Sequence, residues 1–244
     1  MRDPFAQFDA LVKELERAAS RRRGPATTSH RRDKRAGVAV WSFRALSVAA
    51  ALVLPFYVLV GVSVRLYRYQ SVPTWPALFV GVLFTFLILL VYALWVAKRV
   101  SGRHRLPAHV WKGILAVVVA YAVYTLVYLS AMNVKGGELR EEYRSLHPLL
   151  RVATSTLILF DRDLVITDMQ RQTADYERMG LPVYERSLHL IQRDGYAHAV
   201  DLRTKDRSEW RNFLMAAYFR VMGFRTLRHV GTADHLHVSL PPPS

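Results

Sequence analysis

Residues 77–97 read ALFVGVLFTFLILLVYALWVA, twenty-one consecutive positions without an acidic, basic or histidine side chain. As an α-helix such a run covers the roughly 30 Å hydrocarbon core of a bilayer, and in that core only helices and closed barrels satisfy every backbone polar group. Two further stretches, Ala45–Val64 and Gly113–Val134, are of similar length and equally free of charge. Together the three predict three transmembrane helices in the first half of the chain. The first lies too far from the N-terminus and runs too long for a cleaved signal peptide, so it is expected to stay in the protein.

The segments around these runs carry the charge. The 244 residues are 52% hydrophobic yet have a formal net charge of +15, and the two properties are segregated along the chain. Arg21-Arg22-Arg23 and Arg31-Arg32-Asp33-Lys34-Arg35 precede the first span; Lys98, Arg99, Arg103, Arg105 and Lys112 fill the loop between the second and third. The loop near Gln70–Trp75 has few charges beyond Arg65 and Arg68. In a soluble protein such clusters would point to phosphates. Beside membrane spans they set orientation, so the partner read from them is the lipid bilayer and no nucleic-acid role is assigned. The positive-inside rule places the N-terminus in the cytoplasm, and three crossings put everything after Val134 outside. Transporters and channels carry ionisable groups within their spans; these spans have no such acidic, basic or histidine residue and read as an anchor.

Three regions follow. Residues 1–40 form a cytoplasmic basic arm, in which Asp3-Pro4 opens an amphipathic helix with Phe5, Phe8, Leu11, Val12 and Leu15 at helical spacing, suited to a leaflet surface or a docking partner. Residues 41–135 form the three-helix anchor. Residues 136–244 form a small extracytoplasmic α+β domain after the Gly136-Gly137 hinge. Within it, Pro148 opens a helix through Ala153, Leu164–Thr167 reads as a strand after the Asp161-Arg162-Asp163 turn, and Thr173 caps a helix ending at Gly180. Ala197–Leu202 reads as a strand, and Ser208–Met222 as a helix with Trp210, Phe213, Leu214, Ala217, Tyr218 and Val221 on its apolar face, stopped by Gly223. Phe224–Val230 and Leu236–Leu240 form a hairpin through Gly231-Thr232-Ala233-Asp234.

The domain's histidines and aspartates gather at strand ends: Ser187-Leu188-His189, then Gly195 to Asp201, then Asp234-His235-Leu236-His237. With no cysteine in the chain, any metal must be held by His, Asp or Glu. Two neutral imidazoles and a carboxylate suit zinc and leave one tetrahedral position for water, which zinc acidifies to near neutral pH.

These residues resemble the zinc D-alanyl-D-alanine carboxypeptidases and dipeptidases of the VanY and VanX type, with the related phage L-alanyl-D-glutamate endolysins. The family pattern is Ser-x-His-x-x-Gly-x-Ala-x-Asp followed by Glu/Asp-x-x-His, with an upstream Arg. Ser187-x-His189, Ala199-x-Asp201 and Asp234-x-x-His237 look like its three pieces in the same order, and Arg171 looks like the upstream Arg. The resemblance covers most of Leu164–Leu240. It implies zinc ligands His189, Asp201 and His237, Asp234 as general base, and Arg171 holding the scissile carbonyl or its developing oxyanion. It also implies a zinc DD-peptidase-like fold, peptidoglycan stem peptides as substrates, and a bacterial cytoplasmic membrane with the domain on its periplasmic side. Two features depart from the pattern. The gap from His189 to Asp201 is about five residues longer, so Leu190-Ile191-Gln192-Arg193-Asp194 must loop outward. His235 makes the last motif Asp-His-x-His, so either Asp234 or His235 serves as base.

Strand alternation decides between the histidines on either side of the loop. In an extended Ala197–Leu202, Asp201 shares a face with Ala197 and Ala199 and His198 points the other way, leaving His189 to fold back to the metal. His147 and His229 read as structural, and Arg151, Arg178, Arg186 and Arg193 as solvated. No Gly-x-Ser-x-Gly elbow, Ser-x-x-Lys or His-Glu-x-x-His motif occurs, which argues against a serine hydrolase or a thermolysin-type enzyme. Two functions are carried forward: a membrane-anchored zinc peptidase, and a non-catalytic wall- or partner-binding module of the same fold. Asp234, Arg171 and the ligand set favour the first; the longer loop favours the second.

Overall fold

The structure, a computed structural model, describes residue 14 and residues 28–231 and 234–243, except 103, 104, 179, 181 and 183. The apolar residues of the amphipathic segment, Phe5, Phe8, Leu11, Val12 and Leu15, and the hairpin residues Thr232 and Ala233 lie outside the described residues. The chain divides into two compact units, Met1–Leu52 and Val53–Ser244. In the first, described backbone is helical from Thr28, so helix begins well before position 41, and the basic run Arg31–Arg35 is itself helical.

Among the described residues three helices are long and apolar enough to cross a membrane. They are α1 (Thr28–Gln70), whose span is Ala45–Gln70, α2 (Thr74–Ser101) and α3 (Ala108–Val127). The third is displaced from the expected Gly113–Val134. It starts just after Pro107, and Tyr128 turns extended because the apolar residues beyond it belong to the domain. Leu129 is buried in the core, Val134 bridges Ile166, and the Asn133 amide donates to the Arg162 and Leu164 carbonyls, each at 2.8 Å. Gly81 lets α2 approach α1: a Cβ there would meet Leu59 O at 2.6 Å and Ser63 Oγ at 2.1 Å.

From Gly137 on, the described residues form three short helical segments, two longer helices and a four-stranded sheet. After the turns α4 (Gly137–Glu141) and Glu142–Ser145 comes α5 (Pro148–Phe160), with Pro148 in its first turn and the His147 ring accepting from the Leu149 amide at 3.2 Å. It runs seven residues beyond Ala153. Strand β1 (Ile166–Asp168), α6 (Thr173–Arg178), β2 (Ala199–Arg203), α7 (Glu209–Met222), β3 (Arg225–His229) and β4 (His235–Ser239) follow. Ser208 caps the start of α7, and Gly223, at φ 99°, ends it in the left-handed region. The sheet order is β1-β2-β4-β3, antiparallel throughout.

Register gives the sheet two unlike faces. Asp201 pairs with His237, and His237 with Leu227, so these share one face; Val200, Leu202, Leu236 and Val238 point to the other. The second face joins Leu149, Leu150 and Ala153 of α5 and Met215, Phe219 and Met222 of α7 in one core. Leu59, Val60, Val64 and Tyr67 of α1 and Ala77 and Leu78 of α2 belong to that same core. The domain is therefore packed on these helices within one unit, Val53–Ser244.

Two expectations about side chains are corrected. Arg151, expected on a solvated face, is buried; its Nη1 donates to Leu126 O at 2.6 Å, and the Tyr143 hydroxyl donates to Thr125 O at 2.7 Å. Both satisfy carbonyls that the end of α3 leaves without helical partners. The α7 face carrying Trp210, Phe213, Leu214 and Val221, expected to pack inward, is exposed; Asn212, Met215, Phe219 and Met222 are the buried residues. Of the expected face Tyr218 does pack against the core, its hydroxyl donating to Ala153 O at 2.9 Å.

Candidate metal centre

Strand β2 carries Asp201 and β4 carries His237 directly opposite it, so strand pairing alone brings two candidate ligands together. His237 Nδ1 lies 2.8 Å from Asp201 Oδ1. His189 arrives from the loop before β2. The Ser187 hydroxyl accepts from the His189 amide at 3.3 Å, Arg171 N–H donates to His189 O at 2.9 Å, and His198 N–H donates to Leu188 O at 2.7 Å. These bonds fix the backbone on both sides of the imidazole. Its Nδ1 faces Met169 O at 2.7 Å, and a carbonyl can only accept, so the proton sits there and Nε2 is free to ligate. Nε2 lies 3.3 Å from His237 Nδ1 and 3.4 Å from Asp201 Oδ1. One donor atom from each of His189, Asp201 and His237 falls within 4.8 Å of the others, a group able to hold a metal ion.

Arg171 and His235 complete the surroundings. Asp168 grips Arg171, with Nε and Nη2 at 2.6 and 2.5 Å from its Oδ2, while Nη2 stands 3.5 Å from Asp201 Oδ2. His235 Nε2 lies 3.6 Å from Asp201 Oδ2, and its ring stacks on His229 at 4.7 Å. Burial raises the Asp201 pKa, but hydrogen bonds from His189 and His237 outweigh it and hold the carboxyl below its ordinary range. Burial disfavours charge on His189 as well, and Asp201, by hydrogen bond and charge, overcomes it to raise that pKa. A buried carboxylate ringed by imidazoles favours a cation at its centre.

Asp234 stands apart. Arg228 holds its carboxylate by two contacts of 3.0 Å, and the Thr204 hydroxyl donates at 2.5 Å. Those bonds, Arg228 foremost, lower its pKa, and it lines an adjoining cleft with Thr167, Arg203, Lys205 and His235, the last of which lines the metal-centre cleft too. The structure brings His189, Asp201, His237, Arg171 and His235 together and leaves Asp234 on the neighbouring surface. The alternation of β4 explains this: His235 and His237 are two residues apart and share a face.

The centre opens into a cleft of about 520 Å³ that includes Tyr176, Tyr184, Arg186, Leu227 and His229. Arg186, expected on a solvated face, is exposed but lines this cleft. Asp168 and the aromatic residues carry no spacing signal; only the Asp168-x-x-Arg171 separation hinted at their pairing.

His198 lies on the other side of the sheet, in a second group with His147 and Asp194. Its Nδ1 faces Leu240 O at 3.1 Å and its Nε2 faces Asp194 Oδ2 at 2.8 Å. The long loop is thus held by Asp194, through a tight turn with Gly195 at φ 84°. In this group His147 Nδ1 accepts from the Leu149 amide, so in the neutral ring the proton sits on Nε2, directed at Thr74 Oγ1 at 2.9 Å. Burial pushes the His147 pKa down to about 2, which keeps the ring in that neutral form. His147 is a fully buried tie between the start of α2 and the start of α5.

Comparison with protein-family models, curated proteins and solved structures found no match.

Proposed function

We propose that the chain is a membrane-anchored zinc peptidase acting on peptidoglycan stem peptides, resembling the D-alanyl-D-alanine carboxypeptidases and related endopeptidases. The observation that carries this reading is the assembly of His189, Asp201 and His237 around one point, in the order of that family's ligands, with Arg171 at the edge of the group. Two imidazoles and a carboxylate with no thiolate fit zinc in an open, catalytic arrangement. Bound there, zinc supplies Lewis acidity and makes water acidic enough to ionise near neutral pH.

The remaining chemistry falls to the chain's own groups. Arg171, kept straight by Asp168, points a fixed guanidinium at the position of the scissile carbonyl oxygen and stabilises charge developing there. His235 takes the proton of the attacking water and returns one to the leaving amine. Its position 3.6 Å from Asp201 Oδ2 supports this role, as does the engagement of the Asp234 carboxylate by Arg228. Arg186 and Arg171 give the cleft a cationic wall suited to a peptide carboxylate. On this reading the domain faces the periplasm and the basic N-terminal arm the cytoplasm.

A specific observation supports the alternative, a non-catalytic wall- or partner-binding module: the carboxylate at the family's base position is tied up in an ion pair. Incubation of the zinc-loaded full-length protein with muropeptides, followed by mass spectrometry, separates the two. Loss of a terminal D-alanine or a dipeptide is expected. Muropeptide binding without any cleavage would establish the module.

A further inference from the structure

We infer that α7 is a membrane-contacting helix whose exposed apolar face lies among the acyl chains of the same bilayer that the three spans cross. Trp210, Phe213, Leu214, Ala217 and Val221 recur at intervals of three and four and form one stripe on the side of α7 facing away from the sheet. Phe213 is 57% and Trp210 65% exposed, and their rings stack at 5.5 Å. A patch of this size on a helix whose opposite face fills the core calls for an occupant.

Continuity with the spans identifies it. The last turn of α7 sits on α1: Arg65 and Arg68 donate to the Val221 and Gly223 carbonyls, and a Cβ on Gly223 would stand 3.0 Å from Val64. At the other end, Asp161 closes α5 and is bridged to Arg207 and Arg211, just before and within α7. Phe160, beside Asp161 and 65% exposed, packs edge-on against Phe56 of α1, which packs in turn against Tyr121 of α3. Thr156 of α5 meets the Tyr121 hydroxyl at 2.7 Å. Tyr121 lies six residues before the end of α3, about 9 Å along the helix axis at 1.5 Å per residue. The contacts of α5 beside α7 thus fall within the length of the spans. Leu159 and Phe160 at the end of α5, and Val53 and Leu54 beside the Phe56 that Phe160 touches, are exposed apolar residues as well. Arg211 pairs with Asp161 and Asp163, so the polar side at that end is neutralised in pairs. The helix packs on the sheet face opposite His237 and Asp201, so the metal centre faces away from the lipid contact.

The chain contains no cysteine, so single cysteines give unambiguous nitroxide labels. Labels at Phe213→Cys, Leu214→Cys and Val221→Cys in the full-length protein, reconstituted in phospholipid vesicles, are to be compared with Val53→Cys in the span and Lys205→Cys on the domain surface. Relaxation by oxygen and by a water-soluble nickel chelate is read by electron paramagnetic resonance. All three α7 labels are expected to match Val53→Cys, with an oxygen-to-chelate ratio several-fold above that of Lys205→Cys. Chelate access equal to Lys205→Cys would place the helix in water and overturn the inference. Immobilised spectra shielded from both reagents would overturn it equally, and would assign the face to a protein partner or a second copy.

Discussion

His189→Ala should abolish stoichiometric zinc binding while His198→Ala keeps it, although His198 is nearer Asp201 in sequence. The two imidazoles differ in what their nitrogens meet. His189 points Nε2 at Asp201 and His237 and anchors Nδ1 on Met169 O, whereas both nitrogens of His198 face acceptors outside the centre, Leu240 O and Asp194. Apparent zinc affinities of about 10–16 kcal/mol, shared over four ligand bonds, give about 2.5–4 kcal/mol per ligand. That corresponds to roughly 60- to 700-fold weaker binding, at 1.4 kcal/mol per tenfold. Chelator competition on the purified full-length variants, with metal content by mass spectrometry, is the assay. One zinc per chain is expected for wild type and His198→Ala, with affinities within about threefold of each other, since His198 lies outside the coordination sphere. Equal losses in both variants, or two zinc ions in wild type with one lost in His198→Ala, would refute the geometry argued for both clusters.

His235→Ala should lower turnover by about 10²–10⁴-fold with zinc retained, the usual contribution of a general base, while Asp234→Asn changes turnover little; steady-state D-alanine release by each variant checks this. Arg151→Ala should cost about 1–3 kcal/mol, because the half-buried Leu126 carbonyl loses its charged donor, whereas Arg178→Ala, at the exposed pair with Asp175, should stay within about 0.5 kcal/mol. Unfolding curves of the detergent-solubilised variants report the difference. His147 adds a pH dependence: its folded pKa lies far below its unfolded value, so its contribution is complete above about pH 6.5 and is lost as pH falls. Between pH 7.5 and 5.5 that loss is about 1.4 kcal/mol, and the metal-free His147→Gln protein should show a correspondingly flatter stability profile.

The three spans were legible because a charge-free run of about twenty residues has few other uses. Where the third one ends was not, since Tyr128–Val134 carries no charge either, yet Leu129 and Asn133 are buried in the domain and Val134 bridges Ile166. The stripe on α7 misled for a related reason: hydrophobic periodicity locates an apolar face without saying whether protein or lipid covers it, and here Met215, Phe219 and Met222 took the core. In the site, the order of His189, Asp201 and His237 and the parity of β2 were readable from the sequence alone. The engagement of Asp234 was not, because its partner Arg228 comes from the neighbouring strand and Thr204 from the end of β2. Nor was the burial of His147 and Arg151, whose partners Thr74 and Leu126 belong to the span helices and are brought to them only by folding.

The most direct measurement is the rate of D-alanine or dipeptide release from muropeptides by the full-length protein in lipid nanodiscs, before chelation, after chelation and after one equivalent of zinc is restored. The account predicts activity that disappears with the metal and returns with one zinc per chain. Cleavage that survives complete removal of zinc, or a fully zinc-loaded protein that cleaves nothing, would contradict it.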